Sequence, residues 1–336
     1  MSVLFTTHSR YLDHVPGIGH PERPERLEAV LAGARFGGVD DALVRVEPRP
    51  ATRPELELVH PATFLDALAN FCDAGGGQID SDTVANAATW SAAVLAAGAG
   101  LSLIERIDAG EARTGFCAVR PPGHHASQRR AMGFCFVNNV AVAAAVLAAR
   151  GERVVIVDVD AHHGNGTQAV FYDDPRVLYV SFHEYPLYPG TGTLDERGSG
   201  AGIGTTLNFP LPARATGDVY LYAIDRVLSP IVEMFAPTWL LISAGFDAHR
   251  RDPITELGLS SGDYVDITHR LLTMASGRPC LTMLEGGYDL EALASCTAAT
   301  LGALAGVECR PEPSTSGGPG RHVVDAAARL WGVDAM

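Results

Sequence analysis

The stretch VVIVDVDAHHGNG, residues 154–166, decides how the chain is read. Val154, Val155, Ile156 and Val157 are β-branched and apolar without polar alternation, the pattern of a strand buried on both faces. Such strands belong to parallel sheets whose two sides are covered by helices. Three more runs share the pattern and end in polar residues or glycine: VLYVSF at 177–182, TWLLISAGFD at 238–247 and CLTMLEGGY at 280–288. Between the runs lie Ala-rich segments of helical spacing, such as 91–107 and 139–150, the second with Asn139 placed to act as N-cap. The alternation predicts an α/β fold with a mainly parallel sheet, and the residues just past the strand ends should line a site. The linker-like RPEPSTSGGPGR at 310–321 divides one domain, 1–310, from a linker and short C-terminal tail, 311–336.

The 336 residues are 47% hydrophobic and 19% charged, enough for a large buried core, with Gly and Pro spread rather than massed. All 25 basic residues are arginine. Without lysine there is no P-loop phosphate ligand, no pyridoxal Schiff base and no Ser-Lys pair. A net charge of −14 opposes nucleic acid as a partner and tolerates a cationic substrate. The six cysteines are far apart, form no C-x-x-C pair and read as buried free thiols. The start has no basic region followed by an apolar run, and no apolar window suits a membrane, so a reducing cytoplasm is the expected location.

Asp158 and Asp160 close the first run, and carboxylates buried there need cations or donors close by. Asp160 and His162 are two apart, so in an extended segment both face one way and can share a metal. In RPPGHHA, 120–126, Pro121, Pro122 and Gly123 fix a rigid turn that carries His124 and His125. Asp247 follows the run WLLIS, and Tyr288 follows two glycines at the end of another strand. A capped strand end and a surface turn would explain each motif alone, but all of them point to one sheet edge. Two carboxylates and an imidazole leave coordination positions open, as a catalytic site requires; Zn²⁺ fits, with Fe²⁺ or Co²⁺ as alternatives. Two anionic ligands acidify water less than three histidines, so a His base and a Tyr hydroxyl should each add roughly 10²-fold.

Other patterns carry less. G-L-S-S-G at 258–262 matches a nucleophile elbow formally, but DPITEL precedes it instead of a strand, and Ser260 with Asp263 reads as a helix capping box. GSGAGIG at 198–204 lacks the dinucleotide spacing, and His183-Glu184 is not followed by the second histidine of a zinc-protease motif.

Together the segments HPERPERL (20–27), RPPGHHA, GFCFVNNVAVAA (133–144), DVDAHHGNGTQ, VSFHEYPLYPGTG (180–192), SAGFDAHRRDP (243–253) and EGGYDL (285–290) resemble the histone deacetylase family. That family includes acetylpolyamine amidohydrolases and acetoin-utilisation proteins. The resemblance implies an arginase-like three-layer αβα fold around about eight mainly parallel strands. It implies zinc held by Asp160, His162 and Asp247, and hydrolysis of an acyl-lysine amide by metal-activated water, with His125 as general base and Tyr288 polarising the carbonyl. His124 would assist electrostatically and in protonating the leaving group, Asp158 would orient His124, and Asn165 would contact His125. Asn at 165 and Glu at 285 are similar to a class II-like group.

By the same resemblance Gly133, Phe134, Tyr188 and Ile254 would line the substrate channel, with Asp82 at its rim. Ile254 stands where polyamine-selective relatives carry Glu, which favours acyl-lysine over polyamine. Asp158, Asp160, His162, Ser181 and Phe182 match a structural K⁺ site. A deacetylase of acetylpolyamines or another small acetylated amine is the alternative, and a non-catalytic acyl-lysine reader or scaffold a remote one. A two-metal ureohydrolase would need more aspartates than the motifs offer.

Overall fold

The computed structural model describes residues 1–36 and 38–333. In chain order its strands are β1 (Val3–Thr6), β2 (Leu43–Val46), β3 (Gly76–Gln78), β4 (Val84–Asn86), β5 (Thr114–Cys117), β6 (Val154–Asp158), β7 (Val177–Glu184), β8 (Thr206–Leu211), β9 (Trp239–Ala244) and β10 (Cys280–Leu284). Eight of them form one sheet in the order β2-β1-β5-β10-β9-β6-β7-β8, all parallel, while β3 and β4 make a separate antiparallel hairpin. The four strands read from sequence are β6, β7, β9 and β10, and every residue in them is buried, as strands covered on both faces must be.

Two helical groups flank the sheet. Thr89–Asp108 packs on Asn139–Ala149, and Leu290–Ala305 packs on both Glu25–Phe36 and Ser261–Ala275. Thr89–Asp108 has the length and hydropathy of a membrane-crossing helix, yet most of it is buried inside the fold. The cap of Asn139–Ala149 differs from expectation: Asn138 Oδ1 accepts the N–H of Ala141 at 3.0 Å. Asn139 instead donates to the Pro121 carbonyl at 3.0 Å, tying this helix to the loop of the paired histidines. Ser260 does cap the helix Ser261–Ala275, and its N–H donates to Asp263 at 2.7 Å.

Residues 311–336, expected as linker and tail, contain the helix Arg321–Trp331, which buries Val323, Val324, Ala327 and Ala328 against Gly217–Ala223 and β8. Its apolar stripe is too short to fold alone but long enough to dock. Glu312 fastens the preceding segment by accepting from His249 at 2.8 Å and Ser261 N at 2.9 Å. The thiols of Cys72, Cys117, Cys135, Cys280 and Cys296 are buried and free, while Cys309 is free and half-buried.

Candidate active site

The parallel register brings the strand ends together. In the sheet Asp158 of β6 lies opposite Ser243 of β9 and Ser181 of β7, and the segments that continue past these ends carry Asp160, His162 and Asp247. One ligand atom from each of these three buried residues lies within 4.8 Å of the others. His162 Nδ1 is 3.1 Å from Asp160 Oδ1 and 3.1 Å from Asp247 Oδ2. The remaining oxygens are held by backbone: Gly286 N donates to Asp160 Oδ2 at 2.8 Å and Ala161 N to Asp247 Oδ1 at 2.7 Å. Gly286 has to be glycine, because a Cβ there would sit 2.2 Å from Asp247 Oδ2.

The electrostatics describe a carboxylate pair that wants a cation. Burial and the charge of Asp160 push Asp247 up to about 6. Burial disfavours a charged His162, but hydrogen bonds to Asp160 and Asp247 lift it to about 10. An imidazolium there balances two buried anions, the position a divalent ion would take with stronger bonds. Two carboxylate oxygens and one imidazole nitrogen, converging and buried, fit a borderline divalent metal.

Above this triad the histidine loop is fixed by Glu285. Its Oε2 accepts the N–H of Gly123 at 2.7 Å and of His124 at 3.1 Å, and its Oε1 accepts the Ser243 hydroxyl at 2.9 Å. Burial pushes this carboxyl up to about 7. His124 Nδ1 is 3.0 Å from Asp158 Oδ2, which also accepts the Tyr179 hydroxyl at 3.1 Å. Against burial, the charges of Asp160 and Asp158 hold His124 well above the usual histidine range. His125 behaves oppositely: burial, with the charges of His124 and His162, holds it well below that range, so its ring is neutral. The two rings lie 4.1 Å apart, with their basicities pushed in opposite directions.

Tyr288 is carried by the turn after β10. Its backbone N–H donates to Asp252 Oδ2 at 2.8 Å, and the other oxygen of Asp252 accepts Ile254 N at 3.0 Å. One buried carboxylate thus positions both the tyrosine and the loop of Ile254. Burial keeps the Tyr288 phenol well above its ordinary range, hence protonated and able to donate.

A cavity of about 190 Å³ opens onto these groups, lined by Asp82, His125, Gly133, Phe134, His162, Leu187, Tyr188, Ile254 and Tyr288. The rings of Phe134 and Tyr288 meet edge to face at 5.8 Å, and those of His125 and Tyr188 at 5.2 Å. Gly133 has a φ of +56°, and a Cβ there would lie 2.4 Å from the His125 ring, so this wall can approach only without a side chain. Asp158, Asn165 and Ser181 lie outside this lining, and Phe182 stacks in the core on Phe209 at 4.6 Å, leaving only its backbone for an ion.

Sequence reading assigned no role to the charges beneath Tyr288. Arg26, fully buried, donates to the carbonyls of Gly287 at 2.7 Å and Glu285 at 2.6 Å and to Glu22 at 3.0 Å. Arg120 pairs with the same Glu22 at 2.7 Å. The signal available was the clustering of charges in HPERPERL, which runs into the helix Glu25–Phe36 and names the residues without their partners.

Residues 20–304 match the histone deacetylase domain. The chain belongs to the histone deacetylase family. It is 39% identical over 309 residues to a probable deacetylase of Archaeoglobus fulgidus, covering 90% of this chain and 86% of that protein. It is 42% identical over 293 residues to histone deacetylase 15 of Arabidopsis thaliana, covering 85% of this chain but 53% of the plant protein. The crystal structure of the HDA15 HD domain superposes with a TM-score of 0.91 at 37% identity, covering 100% of this chain and 97% of that one. The protein is therefore a hydrolase of the histone deacetylase family, an amidohydrolase with deacetylase activity.

Proposed function

We propose that this deacetylase removes the acetyl or a related acyl group from acyl-lysine in proteins or peptides, using zinc held by Asp160, His162 and Asp247. The observation that carries the reading is the cavity between Phe134 and Tyr188, apolar at Leu187 and Ile254, whose lining includes His125, Tyr288 and His162, the last grouped with buried Asp160 and Asp247. Such a cavity suits a methylene stem with an amide at its tip.

A divalent ion at the triad supplies Lewis acidity, polarising the amide carbonyl and lowering the pKa of water. Neutral His125 accepts the proton of the attacking water at Nε2, because its Nδ1 hydrogen is committed to Asn165 Oδ1 at 2.8 Å. The Tyr288 hydroxyl donates to the carbonyl oxygen as negative charge develops there. His124, charged and oriented by Asp158, stabilises that charge and assists protonation of the departing amine. Fe²⁺ or Co²⁺ would satisfy the same donors, and a structural K⁺ near Asp158, Asp160, His162, Ser181 and Phe182 belongs to the same proposal. Asn165 and Glu285 support the class II-like placement.

The Asp82 carboxylate in the lining favours a second reading, a small acetylated amine carrying another positive charge. Amine release from an acetyl-lysine peptide and from an acetylated polyamine, with metal-loaded and chelated protein, separates the two. Faster chelator-sensitive peptide cleavage is expected; faster polyamine cleavage would overturn the acyl-lysine assignment.

A further inference from the structure

Beside the reaction cavity lies a second, larger groove of about 480 Å³, floored by Phe64, Leu68 and Phe71 and edged by Ile79, Arg129 and Arg130. None of the reactions above uses it. Both arginines are exposed, and neither side chain has a hydrogen-bond or ion-pair partner among the described residues, in a chain of net charge −14.

Two chain segments contribute residues to both cavities. On one side, Ser127 N donates to Arg130 O at 3.0 Å, and Met132 and Cys135 exchange backbone bonds of 3.0 Å. These consecutive turns set the arginines at a fixed spacing from Gly133 and Phe134. On the other side, the loop joining β3 and β4 carries Ile79 and Asp80 into the groove and Asp82 onto the reaction cavity. Asp80 Oδ1 closes that loop by accepting the N–H of Asp82 at 3.2 Å and Thr83 at 2.9 Å, and Thr83 Oγ1 accepts Phe134 N at 3.1 Å. Asp80 offsets one arginine, leaving the groove with a net positive edge over an apolar floor.

We propose that this groove binds the polypeptide flanking the acyl-lysine, taking a large apolar side chain on Phe64 and Phe71 and a carboxylate on Arg129 and Arg130. The inference rests on the acyl-lysine reading and narrows it to peptide substrates with an acidic, apolar flank. Free amines and single acetylated amino acids do not reach the groove.

The test compares kcat/KM for acetyl-lysine peptides whose flank is Phe-Glu or Phe-Arg, in native protein and in the Arg129→Ala, Arg130→Ala double variant, with acetyl-lysine methylamide as reference. The expected result is a preference of about fivefold or more for the acidic flank, lost in the double variant and weakened by salt, with methylamide turnover unchanged. Peptide cleavage indifferent to the flank, or a preference that survives the double variant, would overturn the groove assignment alone. Cleavage of acetylated polyamine without peptide cleavage would instead remove the acyl-lysine reading beneath it. A concentration-dependent dimer abolished by the double variant, together with flank-indifferent cleavage, would assign the groove to a second copy of the chain and likewise overturn the proposal.

Discussion

The side-chain oxygen of Asn165 lies 2.8 Å from His125 Nδ1, while the amide nitrogen faces Met132 Sδ at 3.5 Å. An amide oxygen only accepts, so Nδ1 carries the hydrogen and the neutral ring keeps its lone pair on Nε2. Asn165→Asp would place a negative charge against that ring and favour its protonated form. The His125 pKa then rises, a larger share of the base is protonated at any given pH, and the acidic limb of kcat/KM moves to higher pH by about one unit. A pH profile with an acetyl-lysine peptide reads this shift; an unmoved limb would remove His125 as the titrating base.

Tyr288→Phe removes one hydroxyl and leaves the triad and Asp252 in place. Deacylation should fall about 10²- to 10³-fold with bound metal unchanged by elemental analysis. Undiminished turnover would sink the role given to the phenol.

Gly133→Ala tests how tightly the wall is fitted. Its Cβ would come 2.4 Å from the His125 ring, on a residue whose φ is +56°. Displacing the ring from Asn165 should lower kcat about 10²-fold, while unfolding experiments show a loss of only about 1–3 kcal/mol. Equal effects on a His125→Ala background and on native protein would mean that the wall acts elsewhere.

Arg26→Met should act chiefly on stability. It strips two carbonyls and Glu22 of a buried donor, while Arg120 still pairs with Glu22. Losing one partner of a buried charged cluster costs about 3–5 kcal/mol, measurable by denaturant unfolding. A change below about 1 kcal/mol would show that Arg120 and His14 suffice to hold Glu22.

The ligand triad was legible because each member follows a buried strand, and strands of one parallel sheet deliver their ends to the same edge. The shortest strands of the sheet were not: β1, β2 and β5 have four residues each, too few for a pattern to stand out. Asn138 and Asn139 are adjacent and chemically identical, so the choice of cap depended on the Pro121 carbonyl, which only the tertiary structure supplies. The same holds for Glu285, whose sequence neighbours say nothing of the backbone amides at Gly123 and His124 that it holds. Residues that act on the chemistry leave local motifs; residues that act on other residues leave almost none.

The bond from Arg26 to the Gly287 carbonyl joins positions 261 apart in the chain. During synthesis, the first helix must wait for nearly the whole polypeptide before its arginine meets the turn that carries Tyr288. The turn that carries Tyr288 can take its place only when β10, the last strand in the chain, enters the sheet between β5 and β9.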